Sequence, residues 1–401
     1  TLEETDPSLT FDPSGLHDPL VAYAGYFIMN GVSYWRGGFS HLAADMSFLS
    51  AHVVRDHDFP DVTLVNVRYD HAGRLHLVFF AENTDRPGNP VRYASSDDGG
   101  ATFTTPVYLF PQGHCLLRCE TPAMAIGPAD TARETVYATM TEYLGNGTTT
   151  LQFAAAPVTS GVFSPLVSLA EGEIAVTARR SPRVSAITAG PGAGFVAAVW
   201  IAQNMDNGLA PLGDPLNRVR VRVSHDGGAT FGPMSEVARA TDSPVGLPPG
   251  IEAGPGVLHV VYATGGLDGA WNVVLATSRD DGATWLYRVV NDDAPCATHA
   301  WASLAVDPVS GDAHVLFLDN RFWPGEVVYS RCPADATQRC ARNELVSGEA
   351  FALSTTQDAT RWLGSRSALR FAPDGTLWAA WADTRSGGPG IYVSRGRPVA
   401  R

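Results

Sequence analysis

The stretch SRDDGATW, Ser278–Trp285, is written three times in this chain: it returns as SHDGGATF at Ser224–Phe231 and as SDDGGATF at Ser96–Phe103. Each copy follows a short apolar or alternating run (VRYAS, VRVRVS, VVLATS) and precedes another strand-like run such as TPVYLF or LYRVV. Those flanks predict a β-hairpin whose turn is the repeated phrase. Its letters have physical reasons. The carboxylates of Asp98, Asp226 and Asp280 are placed to accept backbone N–H bonds within their own turn. Gly100, Gly228 and Gly282 supply positive φ without steric cost. The Thr hydroxyl is expected to tie back to the backbone, with Phe103, Phe231 or Trp285 tucked beneath as an apolar plug.

Degenerate copies extend the series. VVYSRC breaks off at Cys332 where the phrase should begin, IYVSRGR near the C-terminus starts it without finishing, and LQFAAAPVTSGVF holds the same place in another unit. Turn starts at Ser96, about Ala155, Ser224, Ser278, Ser330 and Ser394 recur every 52 to 69 residues. About four strands fit each period, which is the spacing of propeller blades. The expected fold is therefore an all-β, six-bladed β-propeller of four-stranded antiparallel blades, over roughly 57–110, 118–170, 179–238, 246–291, 297–347 and 361–401. The last unit runs out of chain after three strands. SFLSAHVVRD, Ser47–Asp56, is expected to supply the fourth and so close the ring without unpaired edges. Residues 1–46 then form an extension packed on the propeller.

Other features recur in register. GRLHLVFF, GVLHVVYA, GDAHVLFL and GTLWAAWA read as the second strand of four blades, with His76, His259 and His314 at equivalent points. A histidine repeated with its strand is read as packing.

Composition narrows the chemistry. The net charge is −13 with no basic run, which excludes an ordinary nucleic-acid footprint. All 28 basic residues are Arg, so neither a Schiff-base lysine nor a P-loop lysine exists here. No apolar stretch is long enough for a transmembrane helix. Cys115 and Cys119 flank a short loop, as do Cys332 and Cys340, and Cys296 is left over. Two disulfides, Cys115–Cys119 and Cys332–Cys340, would point to an oxidising, extracellular or periplasmic compartment. A zinc site beside His114 and Cys115 is the competing reading. The chain begins at Thr1 without Met or signal peptide, and is expected to be the mature part of an exported protein.

The full pattern S-x-D-x-G-x-T-[FW] resembles the Asp-box of the sialidase (BNR-repeat) superfamily. In that family the box lies on the propeller rim and is structural, which implies the same for Asp98, Asp226 and Asp280. The resemblance implies a ligand site over the ring axis, where the innermost strands open. These openings are HDFPDV (His57–Val62), CETPAM (Cys119–Met124), RSPRV (Arg180–Val184), LPPGI (Leu247–Ile251), THAWAS (Thr298–Ser303) and WLGSRS (Trp362–Ser367). Sialidases carry an R-I-P-type motif at the first of them, whose Arg grips the sialic-acid carboxylate. Asp58 stands there instead, and an anion facing a carboxylate repels it, so ordinary sialidase activity is not expected. The family's Tyr nucleophile and Glu partner cannot be placed.

The candidate carboxylates for glycosidic-bond cleavage are Asp58, Glu120 and Glu252, one acting as acid and another as base or nucleophile. Candidate ligand-binding residues are His57, Asp61, Arg118, Arg180, Arg183, His299, Trp301, Trp362 and Arg366, the tryptophans offering flat faces for sugar stacking. No cofactor is expected, and no metal is assigned. A site on His57, Asp58 and Glu120 is the weaker metal alternative. The partner expected is a carbohydrate or glycoconjugate, with a protein partner on the propeller face as a further option. Two functions compete: recognition or cleavage of a carbohydrate at the axial mouth, or a non-catalytic platform for a glycan or protein.

Overall fold

In the computed structural model the described residues are 3–398, without 30–31, 83–89, 111–117, 129–132, 145–148, 171–179, 191, 193, 205–216, 266–269, 294–296, 322–324, 352–366 and 387–389. They form seven antiparallel sheets, each meandering from an innermost to an outermost strand. The first is β1 (Glu3–Thr10), β2 (Leu20–Met29), β3 (Val32–Leu42) and β4 (Phe48–Val53). The second is β5 (Asp61–Tyr69), β6 (Leu75–Glu82), β7 (Val91–Ser96) and β8 (Val107–Tyr108). The third is β9 (Arg118–Gly127), β10 (Thr135–Tyr143), β11 (Thr149–Pro157) and β12 (Val167–Ser168). The fourth is β13 (Arg180–Ala189), β14 (Val196–Asn204), β15 (Arg218–Ser224) and β16 (Ser235–Glu236). The fifth is β17 (Gly250–Gly254), β18 (Val257–Gly265), β19 (Trp271–Ser278) and β20 (Leu286–Val289). The sixth is β21 (His299–Val306), β22 (Ala313–Asp319), β23 (Glu326–Cys332) and β24 (Glu344–Leu345). The seventh has three strands among the described residues, β25 (Ser367–Phe371), β26 (Leu377–Asp383) and β27 (Gly390–Gly396).

The propeller thus has seven blades, not six. Residues 1–46 are not an extension, and Ser47–Asp56 does not complete the last blade: β4 pairs with β3, inside a sheet of its own. The first blade escapes a sequence reading because its third turn, AADMS, lacks the repeated phrase. Its inner strand also carries a bulge at Asp6–Pro7 that breaks the alternation.

The ring closes by face-to-face packing. Phe39 of the first blade packs with Val67 and Leu77 of the second. The same kind of apolar layer joins every neighbouring pair, and a seventh layer sets Leu9, Val21 and Leu42 of the first blade against Trp378, Ala380 and Ile391 of the last. With a neighbour on both faces, a second strand has no solvent side. That is why β6, β18, β22 and β26 read as nearly unbroken apolar runs and are buried almost end to end.

The three repeated turns join the third and fourth strands of blades two, four and five. Asp226 Oδ1 accepts from Ser224 Oγ at 2.7 Å and from the Thr230 N–H at 2.8 Å. Ser224 Oγ accepts the Gly228 N–H at 2.9 Å. Asp98 and Asp280 repeat the pattern. The threonine hydroxyl bonds the carboxylate, not the backbone. Those bonds, the hydroxyl's first, hold the Asp98 and Asp226 carboxyls down at about 2. The turn glycine meets the preceding blade: at Gly228, φ is +85° and a Cβ would lie 2.2 Å from the Phe153 ring. Phe231 also packs edge-on against Phe153, at 4.9 Å between centroids. Each phrase is a rivet between blades, which is more than a turn.

Candidate functional site

All seven inner strands line one channel along the ring axis, enclosing about 160 Å³. Most carry a bulge at the same height, at Leu64–Val65 in β5 and Trp301–Ala302 in β21 for instance. Leu64 and Trp301 both have positive φ, +49° and +50°. Their shared strain therefore belongs to the bulge these two inner strands have in common.

Just past the bulges lies a charged tier. Arg68 pairs across to His76, Glu252 to His259, Ala305 to His314 and Arg370 to Trp378, which are the equivalent residues of the four aligned second strands. Register therefore puts Arg68, Glu252 and Arg370 at one height in the channel wall. Glu252 Oε1 lies 3.2 Å from Arg370 Nη1. The two come from blades five and seven, and blade six contributes only small Ala305 at that height. Glu252 Oε2 accepts from Thr188 Oγ1 at 2.9 Å. Arg68 uses Nη1 on the Val67 carbonyl at 2.7 Å and Ser8 Oγ at 3.2 Å. Its Nε and Nη2 make no hydrogen bond among the described residues. Burial, then repulsion from Arg370, push the Arg68 pKa well below its ordinary value, with Glu252 opposing.

Of the three candidate carboxylates, Glu252 lines the channel. Asp58 is half exposed, 3.4 Å from Arg92 Nη2, and is not among the channel-lining residues. Arg92, on the third strand of blade two, is buried, with Asp56 at 2.9 Å and the Tyr108 ring at 4.3 Å. The Asp58 carboxylate is thus held by the outer half of its blade. His57 is fully in solvent, and Asp61 lies 3.9 Å from Arg36 of blade one. The side chains of Arg118, Glu120, Arg180 and Arg183 lie outside the described residues, although their strands are placed. Trp362, Arg366 and Cys115 also lie outside the described residues. Trp301 lines the channel; His299, two residues before it, is buried. Cys332 and Cys340 form a disulfide in the third turn of blade six, where other blades carry the repeated phrase.

Arg68 and Arg370 escaped the sequence reading, which searched strand openings. Their signal is an arginine inside an otherwise apolar inner strand, NVRYD and ALRFAP, opposite the recurring His or Trp of the second strand.

No protein-family model matches the chain, and no curated protein matches it by sequence. Among solved structures it is similar to a protein of unknown function from Dyadobacter fermentans, with a TM-score of 0.51 and 14% identity over 83% of this chain and 95% of that one. It is also similar to an ulvan lyase, a polysaccharide lyase, with a TM-score of 0.54 and 13% identity over 82% of this chain and 79% of that one. The sialidase of Trypanosoma rangeli matches with a TM-score of 0.50 and 14% identity, over 88% of this chain and 57% of that one. At such identities the likeness is one of fold. The chain has a sialidase-like propeller fold, built with seven blades.

Proposed function

We propose that this protein recognises an acidic carbohydrate at its axial channel, with Arg68 and Arg370 gripping the carboxylate or sulfate group. The observation that carries the reading is the charged tier: Glu252 pairs with Arg370 alone, Arg68 stands at the same height without an ion-pair partner among the described residues, and burial and repulsion from Arg370 disfavour its charge. An anion entering the channel relieves that repulsion and meets the unspent Arg68 donors, in the planar geometry that suits carboxylates and sulfates. Size agrees. On the measure by which one water takes about 10–15 Å³, a channel of 160 Å³ has room for an anionic substituent and its hydration, while the sugar rings lie across the mouth beside Trp301. The propeller fold shared with a polysaccharide lyase and a sialidase supports a glycan partner.

Recognition is favoured over cleavage. Both oxygens of Glu252 are already engaged, Oε1 by Arg370 at 3.2 Å and Oε2 by Thr188 at 2.9 Å, which holds this carboxylate in the wall and away from acid–base work. No helix among the described residues is long and apolar enough to cross a membrane, and the Cys332–Cys340 disulfide supports an extracellular or periplasmic setting.

The test is titration calorimetry with uronic-acid, sulfated and neutral oligosaccharides of matched length, beside a chromogenic-glycoside screen. Acidic glycans are expected to bind at least tenfold tighter than neutral ones, with Arg68→Gln and Arg370→Gln each erasing the preference. Equal affinity for neutral glycans would overturn the reading.

A further inference from the structure

Between blades five and six, beside the channel wall, lies a second cluster that the carbohydrate reading does not use. His299 opens β21, Asp319 ends the neighbouring β22, and Asp293 sits in the linker from blade five. One donor atom from each, His299 Nε2 and two carboxylate oxygens, fall within 4.8 Å of one another.

The imidazole decides what this cluster is for. His299 Nδ1 lies 2.7 Å from the Trp271 carbonyl oxygen. A carbonyl only accepts, so Nδ1 carries a proton, and in the neutral ring the lone pair is on Nε2. Nε2 is buried, makes no hydrogen bond, and points at Asp293 Oδ1 at 3.1 Å and Asp319 Oδ1 at 3.5 Å. Two carboxylate oxygens facing Nε2 away from water call for positive charge there, either a proton on the ring or a metal ion held between the three donors. The two separations from Nε2, 3.1 and 3.5 Å, suit an ion: donors 2.0–2.2 Å from a tetrahedral zinc ion lie roughly 3.3–3.6 Å apart, and closer around an octahedral ion.

The surroundings fit as well. Three of the expected outer contacts are present: Nδ1–H on the Trp271 carbonyl, Arg321 Nε on Asp319 Oδ2 at 2.6 Å, and Asn291 Nδ2 on Asp293 Oδ1 at 3.2 Å. Such contacts fix the orientation of ligating side chains. Charge points the same way. Asp292, Asp293 and Asp319 against Arg321 leave a charge of −2, which a divalent ion with neutral imidazole cancels and a protonated imidazole only halves.

We propose that Asp293, His299 and Asp319 bind one divalent transition-metal ion, zinc or manganese, through Oδ1, Nε2 and Oδ1. One imidazole and two carboxylates suit such borderline ions. Three protein ligands leave further positions for water. The ion would tie the blade-five linker to the start of β21, two residues from Trp301, and so hold one side of the channel mouth.

The experiment takes the full chain without an affinity tag, strips it by dialysis against EDTA, and titrates it with zinc and with manganese by calorimetry. Bound metal is then counted by mass spectrometry. Wild type is expected to bind one equivalent at micromolar affinity or tighter, with a raised thermal midpoint. Asp293→Asn, a near-isosteric change in a partly exposed linker, and His299→Gln are each expected to weaken binding at least tenfold. Asp226→Asn, in a distant turn, is expected to leave it unchanged. X-ray absorption of zinc-loaded wild type should show one imidazole among oxygen donors, independently of how the variants fold. Absence of stoichiometric binding, binding undiminished in both variants, or a sulfur-containing shell would overturn the assignment.

Discussion

Arg370 and Glu252 meet at 3.2 Å along the channel wall, spanning blade six from blades seven and five. The pair is partly exposed, 31% and 19%, so its net worth lies between the surface and buried limits. Glu252→Gln leaves Arg68 and Arg370 facing each other without a carboxylate, and is expected to cost about 1–3 kcal/mol. Arg68→Met removes the repulsion and is expected to be neutral or stabilising. Urea unfolding of the two variants checks the opposite signs.

The rivet at Gly228 gives a sharper contrast. Gly228→Ala sets a Cβ 2.2 Å from the Phe153 ring at a φ of +85°. Left-handed strain and overpacking together are expected to cost about 2–5 kcal/mol. Gly256→Ala, at φ +64° with nothing within 4 Å, carries the strain alone, and about 1–2 kcal/mol is expected. Thermal unfolding in parallel separates clash from strain.

Acid stability should fall in two stages. Burial lowers the His259 and His314 pKa values to about 4. A histidine kept neutral in the fold contributes stability that is whole above the unfolded pKa, about 6.5, and is lost as pH falls toward about 4. Each should add a slope near 1.4 kcal/mol per pH unit within that window. The lowered carboxyls of Asp98 and Asp226 stabilise above the unfolded carboxylate range and are lost only as pH falls through about 2. Unfolding free energies between pH 7 and 4 for wild type and a His259→Asn/His314→Asn double variant check the first stage, which the variant should flatten.

Arg92 and Asp58 should separate architecture from binding. Arg92→Met leaves the fully buried Asp56 side chain without its cation, and about 3–5 kcal/mol should be lost. Asp58→Ala removes a half-exposed partner of the same guanidinium, and less than about 1 kcal/mol is expected. Its affinity for an acidic glycan should stay within about twofold of wild type, as calorimetry would record.

The Cys332–Cys340 bridge closes a short loop where other blades use the repeated phrase. Its removal by Cys332→Ser with Cys340→Ser is expected to cost about 2–3 kcal/mol, from loop entropy returned to the unfolded chain. A lower denaturation midpoint of the double variant, compared with wild type without reductant, is the check.

Local chemistry made the blades legible. A carboxylate that can cap its own turn and a glycine that tolerates positive φ leave the same letters wherever the turn occurs, so six blades could be read from spacing alone. The strand of the recurring histidines was legible because packing on both faces excludes polar alternation. The first blade was not, since AADMS and the bulged β1 carry none of those letters.

By itself, the sequence determined the kind of unit, its four-stranded meander and the turns that rivet one unit to the next, because these depend on residues within a few positions of each other. The number of blades, and the meeting of Arg68, Glu252 and Arg370, were decided only by closure of the ring. Residues from the second, fifth and seventh blades reach one height when every interface between blades packs at once, and no local spacing encodes that condition. The same holds for Asp293, His299 and Asp319. The linker carboxylate joins the two strand-end side chains only once the sixth blade has packed on the fifth.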